Sequence, residues 1–267
     1  MPILGAVAYD AKVVPIWEGF AAWFATKGLA FDYVLYSNYE RLVDALLAGH
    51  VDVAWNSPLA WIEAEQLAAR QGRVARAIAM RDTDCDLSSV VLVRGDTSLA
   101  DVRRVAVGAS DSPQATLIPL QALREAGASG FDVLHHEVMV GKHGDHVGGE
   151  RDAVKALLEG RADAACILDA NELAFARDGT LPAGSVRALL RTEAFDHCNF
   201  TVVDGGPADE GEFVALLLGM SFADPTTRPL MEMEGLTAWK PGRVSGYGIL
   251  RRAVDVDGFV DRFLRSR

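Results

Sequence analysis

The chain has few cysteines and no apolar run long enough to span a membrane. Its 267 residues contain three cysteines, Cys85, Cys166 and Cys198, which are far apart in sequence. An odd number at such spacing argues against a disulfide framework. The N-terminal MPILGAVAYD lacks the basic and apolar regions of a signal peptide. We therefore expect a chain without disulfides that does not insert into a membrane.

Positive charge is also scarce. The formal net charge is −11, and no run of Lys or Arg offsets it. Nucleic acids and anionic membranes are excluded as general partners, because both require a basic surface. If this acidic chain binds an anion, it must do so through local donors such as backbone N–H groups and single arginines.

The segment VDVAWNSPLAW, residues 51–61, indicates a strand followed at once by a helix. Ser57 is suited to cap that helix, and Pro58 fits its first turn. A helix N-terminus carries unpaired N–H groups and a positive partial charge, so it can hold an anion. Ser112 and Pro113 repeat the pattern after an apolar run, 102–107. We predict that the two helix starts form two walls of one site.

A second repeat precedes the first helix start. ALLAGHVDVA, residues 45–54, is matched by ALLEGRADAA, residues 156–165. Each indicates a helix that ends on a glycine and a short strand that carries an aspartate. Asp52 and Asp163 could act as paired carboxylates, although we favour bonds to backbone donors at strand and loop ends.

Strands and helices alternate along both halves of the chain, which is half hydrophobic. This alternation predicts an α/β protein with mixed sheets flanked by helices, two lobes, a central cleft and two crossing segments. The polar stretch RDTDCDLSS places one crossing near 84–94, and FDHCNFTVV places the other near 195–203. We assign residues 1–86 and 200–267 to lobe 1 and residues 89–196 to lobe 2.

Four motifs in this order resemble the phosphonate, phosphite and phosphate solute-binding proteins of ABC transporters. They are YDAKVVPIWEGF, SNYERLVDALLAGHVDVAWNSPLAW, SPQATLIP and ERDAVKALLEGRADAACILD. The resemblance implies the type II periplasmic-binding-protein fold and a small anionic ligand held between the lobes. It also implies an ABC permease as a possible partner. We expect no metal and no cofactor. We expect a cytoplasmic location for the sequence as written, and a periplasmic or cell-surface location if a leader has been removed.

Carried over by position, the resemblance implies a set of ligand contacts. They are Tyr9, Asn56, Ser57, Ser112, Gln114, Thr116, Glu150, Arg151 and Asp152. From its place just past the second repeat, we add Asp169 as a contact for a ligand amine. The chain departs from the family where Ser112-Pro113-Gln114-Ala115 replaces Ser-Thr-Ser-Gly and where Glu150-Arg151 replaces Ser-His. Glu150 would repel an anion unless it is paired or turned away, so these departures leave the ligand open.

An alternative function is a cytosolic enzyme on the same fold, acting on a small carboxylate or phosphate-bearing metabolite. The menaquinone-pathway dehydratases and thiamine-precursor enzymes suggest this alternative, because they resemble these binding proteins. Its candidate catalytic residues are Cys198, His197, His143 and Glu150. Cys198 could also bind a soft metal, although no spacing here matches a structural zinc motif. We favour a buried cysteine and solvated loop histidines, and hence a binding protein that needs no turnover.

Overall fold

The computed structural model describes residues 1–9, 11–137, 146–258 and 260–261. The chain divides into two compact units. The first contains Met1–Cys85 and Asp196–Gly246, and the second contains Asp86–Phe195 and Tyr247–Arg267. The chain thus passes between the units three times, whereas the sequence analysis placed two crossings. The described residues from Tyr247 onward cluster with the second unit, although the sequence analysis assigned residues 200–267 to lobe 1.

The elements follow each other in close alternation. The strands are β1 (Ile3–Val7), β2 (Asp32–Tyr36), β3 (Val53–Asn56), β4 (Ala75–Arg81), β5 (Ser89–Val93), β6 (Arg104–Val107), β7 (Asp132–His135), β8 (Ala164–Leu168), β9 (Arg187–Arg191), β10 (Asn199–Val203) and β11 (Trp239–Pro241). The helices are α1 (Val13–Thr26), α2 (Tyr39–Leu47), α3 (Pro58–Arg70), α4 (Ile118–Glu125), α5 (His146–Leu158), α6 (Asp169–Arg177), α7 (Glu210–Gly219), α8 (Arg228–Glu234) and α9 (Gly248–Asp257).

The first unit is built on a six-stranded sheet in the order β11-β4-β10-β3-β1-β2. Strand β1 pairs in parallel with β2 and β3, while β10 lies antiparallel between β3 and β4. Trp17, Phe20 and Phe24 of α1 are buried, as their helical spacing predicts, and Trp17 packs edge-on against Phe200. Gly5 lets α2 approach the sheet, because a Cβ there would lie 2.4 Å from Leu42 Cδ1.

The second unit repeats this plan on a five-stranded sheet in the order β7-β6-β8-β5-β9. Strand β6 pairs in parallel with β7 and β8, as β1 does with β2 and β3. The apolar strand β5 is fully buried and pairs antiparallel with β8 and β9. The chain thus forms two sheets flanked by helices, and the predicted fold class is confirmed.

The structure shows what the repeated Gly and Asp positions do. Gly49 and Gly160 adopt left-handed φ values of 71° and 77°, as expected for helix C-termini. Asp52 Oδ2 accepts a hydrogen bond of 2.7 Å from Ile3 N. Asp163 Oδ2 accepts bonds of 2.9 and 2.8 Å from the backbone N–H groups of Arg103 and Arg104. The predicted role for both aspartates is confirmed, because each ties the start of one strand to the start of its parallel neighbour.

Several element boundaries differ from the sequence prediction. Helix α5 begins at His146 rather than near Arg151, and α9 begins at Gly248 rather than Val254. Glycine favours helices poorly, so the Gly-Gly pair before Glu150 obscured the start of α5. A Cβ on Gly149 would lie 2.7 Å from the His136 carbonyl oxygen, so this glycine permits the close packing of α5. The predicted return crossing, 195–203, contains the buried strand β10.

Candidate functional site

Polar side chains of the first unit collect at one edge of its sheet. Strands β1, β3 and β4 end there, and β10 and β11 begin there, as the pairing of Asn199 with Asn56 and of Trp239 with Arg81 shows. Tyr9 follows β1 at this edge and is partly buried against the core, with Lys12 Nζ 5.8 Å from its ring centre. In open α/β sheets, ligands bind outside the carboxyl ends of parallel strands.

Helix α3 starts at this edge as the sequence predicts. Ser57 is its N-cap and accepts a hydrogen bond of 3.3 Å from Ala60 N, and Pro58 is the first helical residue. Asn56 is completely buried and donates from Nδ2 to Thr201 Oγ1 at 2.9 Å. Within the described part of the chain, Asn56 Oδ1 has no hydrogen-bond partner. The predicted cap is confirmed, and its helix presents a positive N-terminal end beside a buried polar side chain.

The second serine cap lies at the corresponding edge of the second unit. Ser112 is buried and accepts a bond of 3.2 Å from Ala115 N, but it begins a π-helical turn, Pro113–Leu117, that leads into α4. Thr116 donates to the Ala109 carbonyl oxygen at 2.7 Å, and Ser89 donates to the Gln114 carbonyl oxygen. Gln114 Oε1 has no hydrogen-bond partner among the described residues. Single π turns often occur at functional sites.

The Glu150–Asp152 segment of α5 is hydrogen-bonded within the second unit. Glu150 is buried, and its Oε2 accepts bonds of 2.8 Å from Leu168 N and from Asn171 Nδ2. This carboxylate is therefore paired, which is the condition that the sequence analysis set for Glu150 to lie beside an anion. Asp152 accepts a bond of 3.0 Å from Lys155 Nζ. The role of this segment in ligand contact stays a prediction.

The guanidinium of Arg151 has several partners of its own. It donates from Nη1 to Asp178 Oδ2 at 2.7 Å and to Thr180 Oγ1, and it lies 4.6 Å from the ring centre of Phe175. Bonds from Thr180 and from Arg151 lower the pKa of Asp178 to about 2. The guanidinium of Arg151 is thus bound to neighbours within the second unit in this structure.

Asp169 begins α6 at the edge where β8 ends. It accepts a bond of 3.2 Å from Ser88 Oγ and one from Arg191 Nη1, while Arg191 Nη2 donates to Glu172 at 2.7 Å. Arg191 ends β9 at this edge and is a cationic candidate that the sequence analysis did not single out. Its position after the apolar stretch of β9 is the signal that could have identified it.

The first unit gathers an ion-pair cluster around Arg81, which ends β4. Arg81 donates to both carboxylate oxygens of Asp84 at 2.5 and 2.9 Å, and its guanidinium lies 5.2 Å from a ring centre of Trp55. Arg81 Nη1 also donates to the carbonyl oxygen of Glu234 at 2.8 Å. Asp84 and Glu234 are buried. Sequence reasoning missed this cluster. Arg81 and Asp84 are only three residues apart, but Glu234 and His197, which complete the cluster, are distant in the chain.

His197 and Cys198 join the same cluster. His197 Nδ1 lies 3.1 Å from Cys198 Sγ and 3.4 Å from Asp84 Oδ1. Burial lowers the pKa of His197, but Cys198 and Asp84 together raise it to about 10. Burial alone would raise the pKa of Asp84, but Arg81 and His197 lower it to about 2. The arrangement stabilises positive charge between a carboxylate and a sulfur atom.

Of the residues considered for an enzyme, His197 and Cys198 are in contact within the first unit. Glu150 belongs to the other unit, and His143 lies outside the described residues. Among the described residues, no helix combines the length and the apolar character needed to cross a membrane.

Two α/β units, each with a capped helix start and polar side chains at one sheet edge, are typical of proteins that bind small solutes. The model of one family, the periplasmic phosphonate substrate-binding proteins of ABC transporters, matches residues 6–247. The chain belongs to this family. A search of curated proteins gave no significant match.

Solved structures support the same fold. PhnD1 from Prochlorococcus marinus (MIT 9301), in complex with methylphosphonate, is 13% identical with a TM-score of 0.64, covering 96% of this chain and 98% of that one. XAC2383 from Xanthomonas citri, bound to ATP, is 18% identical with a TM-score of 0.63 over 98% and 97% of the two chains. The periplasmic aliphatic sulphonate binding protein SsuA from Escherichia coli is 19% identical with a TM-score of 0.53 over 98% and 87%.

Proposed function

We propose that this chain is a solute-binding protein that captures a small oxyanion of the phosphonate or phosphate class for ABC-type uptake or sensing. The observation that carries the proposal is the start of α3 at Ser57, beside the buried amide of Asn56. An acidic protein can hold an anion there because the N–H groups and the helix dipole supply the positive potential. The family match and the methylphosphonate bound to PhnD1 support this class of ligand.

The partner and location follow from the same proposal. A binding protein of this family delivers its ligand to an ABC permease, so we propose a permease as the macromolecular partner and the periplasm or cell surface as the location. We propose that capture requires no cofactor and no turnover, because binding only has to stabilise the ligand-bound form.

The test is an anion screen by calorimetry and thermal unfolding with phosphate, phosphite, methylphosphonate, sulfate and acetate. At a hundredfold excess over Kd, a ligand that binds only the folded protein raises the free energy of unfolding by about 2.7 kcal/mol. We expect at least one phosphorus oxyanion to do so. A screen in which no anion shifts the unfolding temperature would contradict the proposal.

The Ser57→Ala variant links binding to this helix start. It removes the hydroxyl at the helix start that we expect to donate to a bound anion, and a lost hydrogen bond to a charged ligand weakens affinity by about tenfold or more. Ser98→Ala is the matched control, because Ser98 also caps a short helical turn but lies in the second unit on a different loop. Equal affinity of the two variants for the best anion in the screen would count against binding at α3.

A further inference from the structure

Two chain segments of the first unit bring three metal-binding residue types together. The backbone N–H of His197 donates to the Asp84 carbonyl oxygen at 2.8 Å, so the segment before β10 lies beside the turn after β4. His197 Nδ1 is 3.1 Å from Cys198 Sγ and 3.4 Å from Asp84 Oδ1. One donor atom from each residue lies within 4.8 Å of the other two.

We propose that Asp84, His197 and Cys198 form a binding site for a zinc-type divalent transition-metal ion. Tetrahedral zinc binds sulfur at about 2.3 Å and nitrogen or oxygen at about 2.0–2.1 Å, which places neighbouring donors roughly 3.3–3.6 Å apart. The His197–Cys198 and His197–Asp84 separations are close to these values before any ion is bound. The Asp84 and Cys198 donor atoms lie within 4.8 Å of each other.

The donor set selects the class of ion. A thiolate and an imidazole favour zinc, cobalt or copper over magnesium and calcium, which prefer oxygen ligands. Three protein donors leave the fourth tetrahedral position for water or an anion, as in zinc sites with an open coordination position. No short sequence motif marks this site, because its third donor, Asp84, is far from His197 and Cys198 in the chain.

Arg81 orients the Asp84 carboxylate without using all of the hydrogen-bonding capacity of its two oxygens. Each Asp84 oxygen accepts one bond from Arg81 and keeps a further lone pair. Asp84 and a metal-bound thiolate carry two negative charges and Arg81 carries one positive charge, so a divalent ion is tolerated electrostatically. The His197 side chain is 23% exposed, whereas Asp84 and Cys198 are buried, so an ion can reach the cluster from the histidine side.

The experiment is a titration of the chelator-treated full chain with Co²⁺, followed by displacement with Zn²⁺. We expect one ion per chain by elemental analysis and a thiolate-to-cobalt absorption band that zinc abolishes. Loss of a hydrogen-bonded outer-shell partner already costs about 10–100-fold in metal affinity, so Cys198→Ser and His197→Gln should each weaken binding by at least about 100-fold. Cys85→Ser is the matched control, because Cys85 adjoins Asp84 in sequence but is not one of the three donors.

Three results would overturn the proposal. The first is a wild-type affinity for Co²⁺ no higher than that of Cys198→Ser. The second is a cobalt complex without a thiolate-to-cobalt band. The third is a loss of metal affinity in Cys85→Ser equal to that in Cys198→Ser. If Cys198→Ser does not fold, zinc must slow alkylation of Cys198 in the wild-type chain more than that of Cys85. Absence of such protection then refutes the site. The metal result is independent of the anion screen, which uses metal-free protein and Ser57→Ala.

Discussion

Glu234 shows how burial can outweigh an ion pair at a single residue. Its side chain is 6% exposed and lies 3.3 Å from Arg81 Nη1. Burial raises the pKa of Glu234, and the charge of Asp84 adds to this effect, while Arg81 and Lys12 partly oppose it. The net result is a pKa of about 7, compared with an ordinary value of 4.5. Between pH 4.5 and 7, the folded protein therefore keeps a proton on Glu234 that the unfolded chain loses.

This difference predicts a pH-dependent stability. Between pH 4.5 and 7 the folded state binds more protons at Glu234, so its free energy of unfolding falls as pH rises. The shift corresponds to about 3 kcal/mol. Glu234→Gln mimics the protonated carboxyl, so in metal-free urea titrations its stability should rise relative to wild type by up to that amount across this range.

Glu232→Gln is the control for the Glu234 experiment, because Glu232 is exposed on the same helix, α8. Its stability should keep a nearly constant offset from wild type over the same pH range. Parallel pH curves for wild type and Glu234→Gln would show that the buried carboxyl does not control this dependence.

At the scale of elements, α9 explains why the end of the chain belongs to the second unit. Its apolar residues Ile249, Leu250, Ala253 and Val254 are buried, and the helix contacts α4 and the adjoining π turn. Arg252 adds bonds to Glu125 and Glu193 at the rim of this contact. The sequence pattern gives the apolar face of α9 but does not say which helix that face meets.

Leu250→Ala tests this packing. Truncating a buried leucine to alanine lowers the free energy of unfolding by about 2–5 kcal/mol, because it loses the transfer free energy of the removed atoms and leaves a cavity. Val256→Ala on the same helix is the control, because Val256 is 62% exposed and surface changes usually stay within about 0.5 kcal/mol. Chemical denaturation should separate the two variants clearly. Equal small losses would mean that α9 contributes little to the second unit.

At the scale of the whole molecule, each unit is assembled from two separate chain segments. Within the first unit, Asp196 and Gly246 are the residues at which the chain enters after the second crossing and leaves before the third. Asp196 N donates to the Gly246 carbonyl oxygen at 2.9 Å, and the buried Asp196 carboxylate accepts two bonds from Arg243 at 2.7 and 2.6 Å. A Cβ on Gly246 would lie 2.2 Å from Asp196 Oδ2.

Gly246→Ala should therefore destabilise the protein. The added methyl group displaces a buried, paired carboxylate, and such overpacking costs about 1–3 kcal/mol. Gly248→Ala is the matched control two residues away, because a Cβ there meets only the end of the Arg252 side chain at 3.6 Å. Urea denaturation should show a lower midpoint for Gly246→Ala alone. A Gly246→Ala midpoint equal to that of the control would contradict the close approach.

The sequence by itself determined the features that depend on neighbours in the chain. The cap at Ser57 and the glycine helix ends at Gly49 and Gly160 were predictable because their geometry is local. The repeated sequence also predicted backbone bonds for Asp52 and Asp163, but not their partners, which are 49 to 60 residues away. The ordered motifs also predicted the family, and the alternation of strands and helices predicted the fold class.

Only the tertiary structure decided what depends on contacts between distant segments. It placed β10 within the first sheet, α9 in the second unit and Glu150 against Leu168 and Asn171. It also joined Asp84 to His197 and Cys198, more than a hundred residues away. Apolar burial selects which faces meet, and a sequence pattern that marks a face as apolar does not name the surface that covers it.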